Sequence, residues 1–373
     1  MKEVSITSLF SDYGSINSDC SCVELVPWED TVLIVQGFRD GLLAVHRFNE
    51  CLAAHECTLE GIIVSISLGD ALNLGQSPFA TICVLSAEGH CTVISTASLY
   101  KRKSGIGGPG GGSVSPKTSE VTFSQRLQAN IATAMICDVD QDGKQELVVG
   151  LTDGVVRTYR YHCSSNKSDR SPSPHFCALS KWELPVLTLC LSVFQESQQK
   201  GGHEFTTSVN MLISQPQSRY ITFNLHPKAL PNTDEGIRVF SAQNENSDFG
   251  RQPIVIHQDA VHIGIFHVVT DTITFLQSDN HLVIQTLPSA VFRVRAVPEA
   301  HVILAADWMG NVYIIRLKEE TAKSFLVRFS FGTPIREFAA TAVDSSQLLV
   351  ACHTLDNELL TGRIRLSRLF QND

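Results

Sequence analysis

The sequence predicts an all-β protein built from repeated hairpins, and three observations lead to this prediction. Short runs rich in valine, isoleucine, leucine and aromatic residues recur along the 373-residue chain, and each is followed by a second run across a turn. The turns contain glycine, asparagine or aspartate, which tolerate the backbone angles of a tight reversal. Hydrophobic residues make up 43% of the chain and charged residues 18%, which is enough apolar material for a sizeable core.

Seven hairpins can be placed in chain order from these runs and turns. They span residues 31–48, 79–96, 146–161, 210–225, 271–287, 301–317 and 347–364. The first, second, third, fifth and sixth reverse at Asp40-Gly41, Glu88-Gly89, Asp153-Gly154, Asp279-Asn280 and Met309-Gly310. The fourth and seventh have looser turns, at Gln217-Ser218-Arg219 and Asp356-Asn357.

A β-propeller is the architecture that best accommodates these units. One hairpin is not stable alone, and hairpins with intervening strands that recur every ~40 to 50 residues are typical of blades that pack on their neighbours. Seven hairpins predict a seven-bladed propeller in a single domain, residues 1–373, with the strand-like run at residues 2–10 completing the last blade. The unequal spacing leaves a pair of β-sandwiches as the alternative.

Two insertions account for the longest spacings between hairpins. Residues 101–120 and 164–175 are rich in glycine, serine and proline, so they contain too little apolar surface to pack. We expect both to be flexible loops within the domain, because hairpins of the same type continue on either side.

The segment DVDQDGKQELVVG at residues 138–150 has the pattern of a metal-binding loop. Carboxylates at alternate positions converge on one hard cation when the chain curls, and the glycine at the sixth position permits that turn. Position twelve is Val149 in a strand-like run, which excludes an EF-hand. A solvated acidic turn without a metal is the alternative. The predicted calcium ligands are the side chains of Asp138, Asp140, Asp142 and Glu146 and the carbonyl of Lys144.

This loop followed by a strand resembles the FG-GAP repeat of integrin-α propellers. The run from residue 138 to 161, together with residues 180–186, 212–216 and 307–329, resembles more narrowly the family of integrin-α FG-GAP repeat-containing subunits of the KICSTOR complex. The second blade has a degenerate copy of the loop: Asp70 and Gly75 are present, but Leu72 and Leu74 replace two ligands. We therefore expect FG-GAP-like blades and one structural calcium.

The resemblance also implies a function. Members of this family would act as non-catalytic scaffolds beside a kaptin-like propeller and the other KICSTOR subunits. The complex would recruit the GATOR GTPase-activating complex to the lysosomal surface and restrain TOR kinase signalling when nutrients are short. An integrin-like adhesion or ligand-binding module is the alternative function.

Charge, cysteines and the first residues indicate a cytoplasmic protein without nucleic-acid partners. The net charge of −9 gives no basic surface for nucleic acid. The first residues lack the apolar region of a signal peptide, and no stretch has the length and hydropathy of a membrane span. The eleven cysteines form no CxxC pair, which favours reduced thiols. We expect no membrane insertion and a lysosomal location only through the complex.

A search for catalytic motifs yields none that holds. The chain has no G-x-S-x-G, and the H-E-x-x-H pattern fails after His203-Glu204. The G-x-G-x-x-G match at residues 105–110 contains Pro109 and lacks a βαβ context. A third hypothesis, an enzyme that uses the aspartate loop as an active metal site, would leave no carboxylate to act as general base. Trp308, beside a hairpin turn, is a candidate interface anchor if exposed.

Overall fold

The structure is a computed structural model of the chain, and every structural statement below concerns the residues that it describes. These are residues 19–28, 31–48, 53–73, 75, 80–100, 121–162, 175–184, 190–200, 204–215, 219–224, 238–241, 253–257, 262–267, 272–277, 282–317 and 324–366. Both predicted loop insertions fall outside them, apart from His175, which begins a strand. The run at residues 2–10 also lies outside.

Seven antiparallel sheets follow one another along the described chain, and strands adjacent in sequence are adjacent in each sheet. The first two sheets contain β1 (Cys20–Trp28), β2 (Thr31–Phe38), β3 (Leu42–Arg47) and β4 (Ala53–Thr58), then β5 (Ile63–Gly69), β6 (Thr81–Ser86), β7 (His90–Ser95) and β8 (Val121–Arg126). The next two contain β9 (Ile131–Cys137), β10 (Glu146–Leu151), β11 (Val155–His162) and β12 (His175–Glu183), then β13 (Cys190–Lys200), β14 (Glu204–Gln215), β15 (Arg219–Asn224) and β16 (Arg238–Ser241).

The remaining three sheets complete the described fold. The fifth and sixth contain β17 (Pro253–His257), β18 (His262–His267), β19 (Thr272–Gln277) and β20 (Leu282–Thr286), then β21 (Val291–Val297), β22 (Val302–Asp307), β23 (Asn311–Leu317) and β24 (Ser324–Ser330). The seventh contains β25 (Ile335–Asp344), β26 (Gln347–Thr354) and β27 (Leu359–Arg365). The helices are α1 (Thr96–Tyr100) and the 3₁₀ turn Pro298–Ala300. No helix of the described chain is both long and apolar enough to cross a membrane.

The sheets form a closed ring. The first strand of each sheet contacts the first strand of the next, and β25 of the seventh sheet contacts β1 of the first. The core lies between neighbouring sheets, as expected for blades that bury their faces on each other. At the closure, Val23 and Leu25 of β1 share one buried cluster with Ala339, Leu349 and Ala351. The predicted all-β propeller of seven blades is therefore confirmed.

One turn recurs between the second and third strands of the blades. In the first, second, third and sixth blades its fourth residue is a glycine with φ between 80° and 94° (Gly41, Gly89, Gly154 and Gly310). The carbonyl of that glycine accepts a hydrogen bond from the residue that follows the blade's last strand. These turns and the connections between blades lie at the same end of the strands, which we call the hairpin face. The loops between first and second strands lie at the opposite end, the aspartate face.

The predicted hairpins appear as paired strands, with one difference of position. In six blades the predicted hairpin joins the second and third strands. In the fifth blade the hairpin at residues 271–287 instead joins β19 and β20, the third and fourth strands. All consecutive strands of a blade are antiparallel neighbours, so their local sequence signals are alike. Only the order within the sheet distinguishes the two positions.

Candidate functional site

The aspartate loop joins β9 to β10 in the third blade, and its backbone is curled as the spacing predicts. Gln141 and Gly143 have φ values of 61° and 83°, in the left-handed region that reverses a chain sharply. The two carboxylate oxygens of Asp138 accept hydrogen bonds from the backbone N–H groups of Asp142 at 3.2 Å and of Gly143 at 2.9 Å. Asp138 thus holds the first half of the loop closed.

Three acidic side chains converge inside this loop. Carboxylate oxygens of Asp138, Asp140 and Glu146 lie within 4.8 Å of one another. Glu146, the first residue of β10, is fully buried, and its Oε2 accepts a hydrogen bond from the Val139 N–H at 2.9 Å. Burial raises the pKa of Glu146 above its ordinary value, although hydrogen bonds from Val139 and Arg160 act in the opposite direction.

A guanidinium group occupies one side of the convergent carboxylates. Arg160 of β11 donates from Nε to Glu146 Oε1 at 2.6 Å, and its Nη2 lies 3.0 and 2.9 Å from the two oxygens of Asp140. Its Nη1 is 3.1 Å from Asp142 Oδ2. Burial disfavours the charged guanidinium, but the bonds to Glu146 and Asp140 outweigh it and raise the pKa of Arg160. One arginine therefore bridges three of the four loop carboxylates.

The other predicted ligands lie toward solvent. Asp142 and Lys144 are both exposed, and Asp142 Oδ1 accepts the Lys144 N–H at 2.9 Å. The structure thus brings together Asp138, Asp140 and Glu146, leaves Asp142 at the rim in contact with Arg160, and keeps the Lys144 residue on the outside of the turn.

The donor set fits a hard divalent cation, with one competitor. Three convergent carboxylates in a curled loop are the ligands that calcium prefers. Arg160, however, already uses oxygens of Asp140 and Glu146, two of the three convergent groups. A cation and the guanidinium would repel each other and compete for the same oxygens. Calcium therefore fits this loop to the extent that Arg160 turns away from it.

The corresponding loop of the second blade has the same internal bond and contacts the aspartate loop. Asp70 Oδ2 accepts the Gly75 N–H at 2.7 Å, as Asp138 accepts that of Gly143. Asn73 Oδ1 accepts the Gln145 N–H at 2.7 Å, and Asn73 Nδ2 donates to the Gln145 carbonyl at 3.3 Å. Leu72, at a lost ligand position, is buried. The degenerate copy thus braces its intact neighbour.

Arg160 is the site residue that the sequence interpretation missed. It lies 22 positions after Asp138, outside the loop motif, but the register of the hairpin places it beside Glu146 because Leu147 pairs with Tyr159. Counting back from the Asp153-Gly154 turn would have predicted this cross-strand pair, since opposed residues of a hairpin have Cβ atoms close enough for direct contact.

Comparison with solved structures identifies the fold. BBS1N in complex with ARL6DN superposes with a TM-score of 0.62 at 12% identity, and the match covers 98% of both chains. U3-55K gives 0.63 at 8% identity over 96% of this chain and 98% of that one. The RRP9 WD40 repeats give 0.62 at 9% identity over 96% and 97%. At these identities the likeness concerns the propeller fold alone.

Comparison of sequences identifies relatives. The protein named KICSTOR complex protein ITFG2 from Bos taurus is 29% identical over 227 residues, which are 60% of this chain and 40% of that protein. The Mus musculus protein of the same name is 27% identical over 180 residues, 48% and 39% of the two chains. The chain thus spans about two fifths of the length of the curated relatives it matches.

The profile of the family described as Integrin-alpha FG-GAP repeat-containing protein 2 matches residues 47–281, more than half of the chain. This range includes the aspartate loop and its degenerate copy, the two segments in which the FG-GAP pattern is visible in the sequence. The chain therefore belongs to the integrin-alpha FG-GAP repeat-containing protein 2 family.

Proposed function

We propose that the chain is a non-catalytic propeller scaffold in a KICSTOR-like complex. The observation that carries the proposal is membership of a family whose matched relatives are named KICSTOR complex protein ITFG2. Its partners would be a kaptin-like propeller and the other KICSTOR subunits. In the finer form of the proposal, the complex recruits the GATOR complex to the lysosomal surface and restrains TOR signalling under nutrient limitation.

A rigid ring supports a scaffold role. Salt bridges join the three blades at the ring closure: Arg293 of β21 with Glu337 of β25 at 2.5 Å, and Arg295 of β21 with Glu24 of β1 at 2.5 Å. A surface held in one conformation loses little entropy when a partner binds. The carboxylates of the aspartate loop also accept backbone and guanidinium hydrogen bonds, which is a structural use of these groups.

The proposal includes a structural calcium ion at the aspartate loop. Asp138, Asp140 and Glu146 would supply the convergent oxygens, with Asp142 and the Lys144 carbonyl as the further predicted ligands. When bound, the ion would supply positive charge to a cluster of four carboxylates that has one guanidinium in the structure. Its effect would be to stiffen the third blade, and Arg160 would have to release part of its contacts.

The function is tested by affinity purification of the tagged chain from cells under low salt, followed by quantification of the proteins recovered in stoichiometric amounts. We expect a second propeller of the kaptin type and the remaining KICSTOR subunits, with the GATOR complex in smaller amounts. A tagged WD40 propeller from another family is the matched control. Recovery of the chain without any KICSTOR subunit would contradict the proposal.

A further inference from the structure

The hairpin face of the sixth and seventh blades has exposed apolar side chains. Trp308, Met309 and Leu355 are 52%, 67% and 46% exposed, and together they are called the apolar patch. Trp308 and Met309 occupy the turn between β22 and β23, and Leu355 the turn between β26 and β27. Exposed aromatic and methionine side chains are enriched where proteins bind one another.

One stretch of backbone links the two turns of the patch. Phe331 donates its N–H to the Gly310 carbonyl at 2.9 Å, and a Cβ built on Gly310 would overlap the carbonyl oxygen of Thr333. Leu355 donates its N–H to the Pro334 carbonyl at 3.1 Å. Residues 331–334 therefore pack against both turns, and the apolar patch is one continuous surface across two blades.

Comparison of equivalent turns shows that the sixth blade differs from the others. The third residue of the turn is acidic in the first, second, third and seventh blades, at Asp40, Glu88, Asp153 and Asp356. In the sixth blade that residue is Met309, the most exposed large hydrophobic side chain of the described chain. The turn geometry is shared, since Gly310 has a φ of 80° like its counterparts. The apolar side chain is therefore not required by the turn.

The turn that displays the patch is held firmly. Asp307 is buried, and its Oδ1 accepts the N–H groups of Met309 and Asn311, each at 2.9 Å. Its Oδ2 accepts the Ser289 hydroxyl at 2.5 Å and the Tyr313 hydroxyl at 3.1 Å. Trp308 stacks on Phe292, which is buried, with ring centroids 4.1 Å apart. Anchor residues fixed before binding have less conformational entropy to lose.

The charges near the patch indicate its partner. Exposed Asp356 follows Leu355 directly, and exposed Asp40 lies in the equivalent turn of the first blade, next to the seventh. We infer that the apolar patch docks into an apolar pocket of a partner protein whose rim carries lysine or arginine. An anionic lipid surface has the wrong charge for this acidic neighbourhood. The inference rests on the proposed scaffold role and specifies the surface that it uses.

The test places the photo-crosslinking residue p-benzoylphenylalanine at Met309, at Leu355 and, as control, at Val343 in the full chain expressed in cells. Val343 is 52% exposed near the β25–β26 turn on the aspartate face. We expect positions 309 and 355 to crosslink one and the same protein, at peptides that contain lysine or arginine beside apolar residues. Position 343 should give less than a tenth of that adduct.

A substitution separates contact from binding strength. Met309→Asp introduces the kind of residue that the other four turns contain, so the turn should form normally. We expect it to reduce recovery of the crosslinked partner at least tenfold, whereas Val343→Asp changes recovery less than twofold. Asp356→Lys should also weaken recovery, because it places positive charge opposite a basic rim.

The outcomes for the patch and for the proposed function are distinct. A crosslinked partner that is not a KICSTOR subunit would support the patch and contradict the proposed complex. KICSTOR subunits recovered normally with Met309→Asp, or without adducts at position 309 above those at 343, would overturn the patch and leave the complex standing. Adducts to lipid alone, with no protein adduct, would also overturn it.

Discussion

At the scale of single residues, Arg160 determines how the aspartate loop is stabilised. Arg160→Gln would leave buried Glu146 without its cationic partner and Asp140 without two hydrogen bonds. Removing one partner of a buried charge pair is costly, so we expect the free energy of unfolding to fall by about 3 kcal/mol in calcium-free buffer. Urea denaturation followed by fluorescence measures this loss.

The same variant tests the calcium proposal. Without Arg160 the carboxylates keep their negative charge and lose their competitor, so millimolar calcium should raise the melting temperature of Arg160→Gln more than that of the wild type. Arg363→Gln, which removes an exposed arginine from β27, is the matched control for total charge. If calcium raises neither melting temperature, the loop is held by arginine alone and the metal part of the proposal is wrong.

At the scale of elements, glycines with similar φ values have different surroundings. Gly310 and Gly143 have φ values of 80° and 83°, so alanine is strained at both, by about 1 kcal/mol. A Cβ at Gly310 would overlap backbone atoms of Thr333, whereas nothing lies within 4 Å of one at Gly143. We expect Gly310→Ala to destabilise the protein by at least about 2 kcal/mol more than Gly143→Ala.

Urea denaturation of the two variants in parallel makes this comparison, and Gly143→Ala is the internal control for backbone strain. Equal losses of stability would show that residues 331–334 shift freely away from the turn of the sixth blade. The packing between that turn and the connection to the next blade would then be looser than the structure shows.

The elements also show which features a sequence can predict. Hairpins were found because alternation and turn residues are local signals, and the curl of the aspartate loop follows from Gly143 and the spacing of its carboxylates. Arg160 and the Asn73–Gln145 contact depend on register and on the packing of one blade against the next. The fifth hairpin was placed correctly in sequence, but its position within the sheet is a property of the assembled blade.

At the scale of the whole molecule, salt bridges of the innermost strands span the ring closure. Arg295 of the sixth blade reaches Glu24 of the first, and burial raises the pKa of Glu24 while Arg295 lowers it. Arg295→Gln should reduce stability by about 1 kcal/mol, since both side chains keep some contact with solvent. Hydrogen exchange should quicken in β1 and β21 but not in β10. Unchanged exchange in β1 would show that apolar packing alone closes the ring.

Acid should destabilise the ring through two buried histidines at the same closure. His46 of β3 and His353 of β26 are buried, and burial lowers the pKa of each to about 4. The unfolded chain takes up protons near pH 6.5 and the folded chain does not, so their contribution is full above pH 6.5 and is lost as the pH falls toward 4. At pH 5 each histidine should have cost about 2 kcal/mol relative to pH 7.5.

Substitution isolates this effect from that of the acids, because Glu24 and Glu146 have raised pKa values and change stability in the opposite direction. His353→Gln should lessen the loss of unfolding free energy between pH 7.5 and pH 5 by about 2 kcal/mol, as urea denaturation at both pH values would show. His301→Asn, at an exposed position with a φ of 50°, is the matched control. A pH dependence identical in wild type and His353→Gln would mean that His353 becomes protonated in the folded ring, so that blades seven and one admit water where the structure packs them closed.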